Sequence, residues 1–486
     1  MKTNYSNINN KRMKLYYILL AAVFFFFGCT KAGLNEDVYS SLGVNNYFKN
    51  SNDAEALLNA TYASEQRRPF RNYFVMAEIP TGTLYDRAGG LEALAKPFET
   101  FSWDATHSFF SGIWATHYTT IYRANLVLDQ VPNIDFDADR KKQILAEATF
   151  LRASAYVILN DLFGPVPIIT TSVTSASDRP SRPTKDEFDK FVTDDFKAAA
   201  DVLPAVAVKG RATKGAALSQ LAKYYLNNKD WANAATYTQQ VIDLNVYSLF
   251  SGSADRSELF NPLNENNSEF IYIRPRLAVT GLGDNYISHA APPGYRWQGG
   301  SKDNYATQFK TYTSFYNSFA DNDTRKNAFI TQYYNTSGAL VQLGADDIRN
   351  FKFKEDLTAT GADSGNDFPV IRFADILLSR AEALNELNGP NDESISLINQ
   401  VRTKAGIDPL NLADFGSKDL LRTAIFQERT WEFVGEEMHR TDEIRQGIFI
   451  QQAIDRGINA KNFQVLFPIP QTEVDKNSNL KQNDGY

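Results

Sequence analysis

Cysteine is all but missing from this chain. Cys29 is the only one among 486 residues, which excludes an internal disulfide as a staple. Histidine is scarce too: His107, His117, His289 and His439 show none of the close spacing that a zinc site requires. No cofactor and no metal are therefore expected. A basic excess is also lacking. Lys and Arg number 50 against 57 Asp and Glu, a formal net charge of −7. Neutralising phosphates takes a basic surface, so nucleic acid is excluded as a partner. Beyond residue 28 there is no stretch of 18 uncharged apolar residues, so no later segment is fit to cross a bilayer as a helix. Stability has to come from packing, and 43% hydrophobic with 13% aromatic residues is enough for a sizeable core.

One apolar run does stand out, at the N-terminus. Lys11-Arg-Met-Lys14 precedes thirteen mostly apolar residues, Leu15 to Phe27, and then Gly28-Cys29. Basic residues, a short apolar run and a small residue make a secretory signal. The run is shorter than the roughly 20 residues of an ordinary membrane-spanning helix. A lone cysteine after glycine at its end resembles a bacterial lipobox, with Phe26 where leucine is usual. That resemblance implies cleavage before Cys29 and lipid on its sulfur. The alternative is an uncut anchor with an incidental thiol. Residues 1–28 hold Lys2, Lys11, Arg12 and Lys14 and no acid, so their removal leaves 458 residues with a net charge of −11. That length exceeds one ordinary domain. Residues 29–50 are expected to be a lipid-anchored tether.

The body opens with a helix capped by Ser51 and carrying Ala54, Leu57, Leu58 and Ala60, with Asp53 and Glu55 near its positive dipole end. From Tyr73 to Phe110 the pattern is punctuated by Pro80, Gly82, Gly89, Gly90 and Pro97, and long loops are expected. Helical periodicity returns with Trp114, Tyr118, Ile121, Tyr122, Ala124 and Leu128. Another helix is expected from about Arg140 to Leu162. Its Ala146, Ala148, Ala153 and Ala155 let a neighbour approach, and Gly164-Pro-Val-Pro167 ends it. Thr184 with Glu187 forms a capping box. Residues 215–244 and 373–402 each read as a tight helix pair with small residues facing aromatics, a tetratricopeptide-like layout. The fold class expected is mainly α: degenerate helix pairs in an N-terminal region, 51–250, and a C-terminal region, 251–486. The C-terminal region opens with a loop-rich insertion, 251–370, expected to face ligand and holding short strand-like runs such as Phe270-Ile-Tyr-Ile273.

Four blocks carry a resemblance. They are Ala146-Glu-Ala-Thr-Phe-Leu-Arg-Ala-Ser-Ala-Tyr156 with Leu162-Phe-Gly-Pro-Val-Pro167; Val370-Ile-Arg-Phe-Ala-Asp-Ile-Leu-Leu-Ser-Arg-Ala-Glu-Ala-Leu-Asn385; Glu428-Arg-Thr-Trp-Glu-Phe433 with Asp442 and Arg445; and Phe467-Pro-Ile-Pro-Gln-Thr-Glu473 with Asn477, Leu480 and Gln482-Asn483. In this order they resemble the SusD/RagB family of Bacteroidetes outer-membrane nutrient-binding lipoproteins. Where that family often has Arg-Trp/Phe-Phe-Asp, this chain has His439-Arg-Thr-Asp442. The resemblance implies a helical fold on tetratricopeptide-like pairs and lipid anchoring at the cell surface. It also implies a lid-like partnership with a SusC-like TonB-dependent outer-membrane transporter. The ligand it implies is a glycan or, in some members, a peptide.

Candidate chemistry divides two ways. Glu428 and Glu432 are four apart on one helix face, so they can act as a glycosidase pair or as an ion network with Arg152, Arg429 or Arg445. The network is the expectation, so the protein is expected not to be an enzyme. Glu436 and His439 form a single Glu-x-x-His step, short of the two that a di-iron bundle needs. Sugar binding needs flat rings against apolar C–H faces and polar groups for hydroxyls. Two loop stretches qualify: Tyr85, Asp86, Arg87, Trp103 and Asp104, and Tyr286, Tyr295, Arg296, Trp297 and Asn304. Trp297 is the foremost candidate, because glycine and proline flank it. Trp114, Trp231 and Trp431 fall on helical stripes and are expected in the core. The competing readings are a glycoside hydrolase and a structural lid that touches no ligand.

Overall fold

The computed structural model describes residues 48–66, 70–87, 89–175, 177–299, 302–305 and 308–486. Cys29, the signal segment 1–28 and the tether up to residue 47 lie outside them. Residues 50–486 form one unit, and it is mainly α-helical.

Helix α1 (Ser51–Gln66) opens it. Its cap is Asn50 and not Ser51: Asn50 Oδ1 accepts from the backbone N–H of Asn52 at 2.9 Å and of Asp53 at 3.2 Å. Asparagine caps as well as serine. The region expected as long loops is more ordered than its punctuation implies. It holds α2 (Phe70–Glu78), β1 (Leu84–Asp86) and α3 (Glu92–Thr100). Pro97 lies inside α3. Beside it Phe98 is fully buried among Trp103, Phe109, Phe110 and Phe467. Burying that ring outweighs the local breaker. Next, α4 (Ser108–Gln130) starts ahead of Trp114 because His107 caps it, accepting from the Phe109 N–H through Nδ1 at 3.2 Å.

The scaffold continues through α5 (Ala138–Phe163), α6 (Lys185–Val202), α7 (Lys214–Asn227) and α8 (Trp231–Asp243). Thr184 and Glu187 close both halves of the capping box on α6. Ala146, Ala148, Ala153 and Ala155 are all buried, so α4 and α6 both pack against α5. After a long excursion come α9 (Phe373–Asn388), α10 (Asp392–Ala405), α11 (Lys418–Phe433) and α12 (His439–Gln446). Each scaffold helix packs on the next, and α8 packs on α9. The hairpin that returns at Phe373 thus continues the stack left at Asp243.

The excursion carries β2 (Phe270–Arg274), β3 (Phe309–Thr311), β4 (Phe329–Ile330), β5 (Gln332–Tyr334), β6 (Leu340–Gln342), β7 (Arg349–Asn350) and β8 (Phe368–Arg372). Four antiparallel pairs form: β1–β3, β2–β8, β4–β7 and β5–β6. β2 and β8 close the neck of the insertion, with Phe270 opposite Arg372, and α9 begins at the next residue. Aromatic and β-branched side chains suit this ladder, which is buried along most of its length.

Buried ion pairs lock the insertion to the scaffold. Arg372 reaches Glu269 at 2.8 Å, Glu432 at 2.7 Å and Glu436 at 2.6 Å. The expected network around Glu428 and Glu432 is present, with different cations. Glu428 pairs with Arg325 and Arg402, and Glu432 with Arg256, Arg325 and Arg372. Arg152 instead holds Asp195, Arg429 holds Asp375 and Asp442, and Arg445 holds Glu382 and Asp442. Helical spacing placed the acids, but the insertion supplies Arg256 and Arg325 from far along the chain. Of the three tryptophans expected in the core, Trp114 is buried, while Trp231 and Trp431 are half-buried. The C-terminal block is a strap. Gln482 brackets Ile469 through its N–H and its carbonyl, and Asn483 Nδ2 donates to Phe163 O and Phe467 O.

Candidate functional site

Among the described residues, the two aromatic loop stretches have opposite fates. The first is closed. Trp103 is 5% exposed, packs on Phe101 and Phe467 with both centroids at 4.9 Å, and donates from Nε1 to Tyr486 Oη at 2.7 Å. Tyr85 is 6% exposed, lies against Tyr312 and donates its hydroxyl to Asp346 O. Neither ring offers a face to a ligand; both belong to the core. Arg87 is exposed, reaches Glu99 at 3.5 Å and sits over the Tyr85 ring. Asp104 is spent on a turn, accepting from the Thr106 N–H at 2.7 Å. Asp86 is buried, and its two oxygens have no hydrogen-bond partner among the described residues. Burial, then the nearby Glu92 and Glu99, push its carboxyl up to about 7.

Tyr286 is corrected in the same way. It is 1% exposed, stacked on Phe309 at 5.7 Å with its plane at 11°, and edge-on to Phe74 at 5.4 Å. It opens a one-turn helix, Tyr286–Ala290, whose five residues are all buried. Loop composition could not distinguish this ring from its neighbours nine and eleven residues on.

Those neighbours, Tyr295 and Trp297, are both half-buried and line an open cleft of about 500 Å³ with Gly294, Arg296, Gly299, Lys302, Asn304 and Thr336. Its geometry is set by backbone. Tyr295 forms an antiparallel bridge with Asn335 beyond β5. The Arg296 N–H donates to Tyr334 O, and the Thr336 N–H to Gly294 O, both at 2.9 Å. Gly294 has φ +65, a conformation that costs other residues. Glu355 Oε1 accepts from the Gln298 and Gly299 N–H groups at 2.9 and 2.8 Å. A Cβ on Gly299 would stand 2.8 Å from Leu357 O, so only glycine permits this approach.

On that frame the Tyr295 and Trp297 rings meet edge to face at 4.9 Å. Phe351 supports Tyr295 from within at 5.3 Å. Burial, then Glu355, push the Tyr295 phenol up to about 12, so it stays neutral. Lys302 Nζ donates to Asp356 O and lies 5.8 Å from the Trp297 ring centroid. Asn304 donates to Pro292 O at 2.6 Å, which leaves its side-chain oxygen as an acceptor. Tyr334, 59% exposed, touches this loop through its carbonyl, and Tyr305, 38% exposed, follows Asn304 and bonds Ser288 O through its N–H. Neither tyrosine, nor Lys302 and Thr336, was singled out from sequence. The turn-rich run Asn335-Thr-Ser-Gly338 after two tyrosines was the available signal. The site is thus half-buried rings in a polar, loop-built cleft, a combination that stacks on apolar ring faces and bonds hydroxyls.

The acidic pair is unfit for general acid chemistry. Glu428 is 0% and Glu432 2% exposed. Burial alone would raise the Glu432 carboxyl, but Arg256, Arg372 and Arg325 hold it well below the usual range. His439 lies 2.8 Å from buried Glu78 through Nδ1; no metal-ligand group of three or more occurs among the described residues. No helix among them is long and apolar enough to cross a membrane. A second cavity, about 100 Å³, lies among α5, α7, β8 and α12. Its wall charges include the Arg274–Glu437 pair at 2.6 Å.

Comparison with known proteins adds the following. Residues 286–486 match the family model described as the SusD family. Residues 42–226 match one described as starch-binding and associating with the outer membrane. A SusD-like protein P2 of Formosa agariphila is 26% identical over 98% of this chain and 100% of its own. The starch-binding protein SusD of Bacteroides thetaiotaomicron is 22% identical over 80% of each. A solved laminarin-binding SusD-like protein superposes with a TM-score of 0.77 at 23% identity, covering 90% of this chain and 100% of that one.

Proposed function

The chain belongs to the SusD/RagB family, and on that footing we propose that it is a cell-surface lipoprotein whose cleft around Tyr295 and Trp297 binds a glycan. The bound glycan is handed to a SusC-like TonB-dependent transporter in the outer membrane. The observation that carries this is the half-buried Tyr295–Trp297 edge-to-face pair in an open cleft. Relatives described as binding starch or laminarin support the ligand class. The outer-membrane description of the model matched by residues 42–226 supports the location. In this reading the insertion 251–370 faces ligand, while the helix pairs of 51–250 and 373–402 hold it in place. Cys29 carries the lipid and residues 29–50 are the tether. Binding without cleavage is supported by the burial of Glu428 and Glu432 and by the arginines that hold both of them in ion pairs.

The test is calorimetric titration of the mature chain with a glycan panel, beside Trp297→Ala. Saturable binding that the variant loses is expected, with no new reducing ends. Turnover abolished by Glu428→Gln would overturn the binding reading. Mass spectrometry of the native N-terminus checks the anchor: a diacylglyceryl-modified Cys29 is expected, and an unmodified, uncut chain refutes it.

A further inference from the structure

Resting on the glycan-binding reading above, we infer that the glycan is acidic and that Arg296 holds its carboxylate or sulfate group. Arg296 lines the cleft beside Trp297 and is exposed. Its backbone is pinned by the bond to Tyr334 O. Its guanidinium makes no ion pair and no side-chain hydrogen bond among the described residues. Arg152, Arg256, Arg325, Arg372, Arg429 and Arg445 each hold at least one carboxylate. A guanidinium carries five N–H donors in a planar fork that matches carboxylate and sulfate oxygens.

The rest of the wall points the same way. Among the described residues no acidic side chain lines the cleft. Glu355 lies behind it, and its Oε1 is taken up by two backbone N–H groups and by Lys302 at 3.7 Å. The Lys302 charge is therefore offset within the wall, whereas that of Arg296 is not. A neutral sugar presents hydroxyls that need acceptors as well as donors. Here Lys302 is buried and spent on Asp356 O, and the Tyr295 and Thr336 hydroxyls and the Asn304 amide accept as well as donate, so the donor-only, fully charged group that singles out an anion is Arg296. The contrast with the whole chain sharpens the point, because its formal net charge is −7. Screening confines surface fields to about 8 Å in physiological salt. A polyanion is then repelled by the body at large and attracted at this rim.

The test titrates the mature chain with polygalacturonate, a sulfated galactan and neutral laminarin, each at low and at high salt. One acidic polymer is expected to bind more tightly than laminarin, and which one does so separates carboxylate from sulfate. Its affinity is expected to fall several-fold at high salt. Arg296→Gln is expected to lower it about tenfold or more, since a charge-assisted bond carries that much. Arg296→Lys is expected to keep part of it, and both variants to melt like the wild type, since the side chain is exposed. Salt-indifferent binding of laminarin that Arg296→Gln leaves intact and Trp297→Ala abolishes overturns this inference alone. No binding to any of the three overturns it together with the glycan reading.

Discussion

By sequence Trp103 and Trp297 are both candidates for stacking on a ligand, Trp297 with Tyr295 and Arg296 beside it and Trp103 with Tyr85 and Arg87 on the stretch before it. In the folded chain one closes a ring cluster against the C-terminal strap, and the other faces an open cleft. The difference lies in what reaches each stretch from elsewhere. Phe467 and Tyr486, more than 350 residues downstream of Trp103, cover its ring. Among the described residues, Trp297 meets the ring of Tyr295 and the Lys302 ammonium and stays half-buried. Loop aromatics become available when no distant segment arrives to bury them.

Substitutions should therefore register on stability in the closed body and on binding in the open cleft. The largest effect is expected for Arg372→Met. It leaves Glu269, Glu432 and Glu436 short of a buried partner, and losing one member of such a network costs about 3–5 kcal/mol. A shift of that size in the urea midpoint checks it; an unchanged midpoint would show that the neighbouring Arg256 and Lys352 suffice. Next comes Trp103→Ala, expected to cost about 3 kcal/mol through the cavity it opens. A small loss there would mean the ring is less enclosed than its neighbours imply.

Asp86 sharpens the contrast through pH. Its carboxyl sits at about 7 in the folded chain, against about 4 for an exposed aspartate. The folded state then binds a proton more tightly than the unfolded state between those values. Stability falls as pH rises through that window, by at most about 1.4 kcal/mol per pH unit. Asp86→Asn removes this slope, so the variant should gain on the wild type as pH rises from 5 to 7. Parallel stability curves across that range would refute it. The smallest effect on stability belongs to Trp297→Ala, expected to cost less than about 1 kcal/mol because the ring is only half-buried. Its loss of glycan affinity is the measurement that matters there, and a large stability loss would place Trp297 in the core with Trp103.

Much of the scaffold was legible. The Thr184–Glu187 capping box, the alanine face of α5 and the paired helices at 215–244 and 373–402 follow from periodicity and caps, which are local. The stretch from Tyr73 to Phe110 was not legible, since Pro97 and the glycines signalled loops while burial of Phe98 decided otherwise. The cleft was half legible. Tyr295, Arg296, Trp297 and Asn304 line it, but Tyr286, in the same composition, is core, and Thr336 joins from another hairpin.

By itself the sequence determined the helical scaffold, the signal-like N-terminus and the blocks that mark the family, because each rests on residues within a few turns of one another. Only the tertiary structure decided which cations neutralise Glu428 and Glu432, which tryptophan is enclosed and that Arg296 makes no ion pair among the described residues. Those outcomes depend on segments brought together from far apart in the chain, and on the water their meeting excludes.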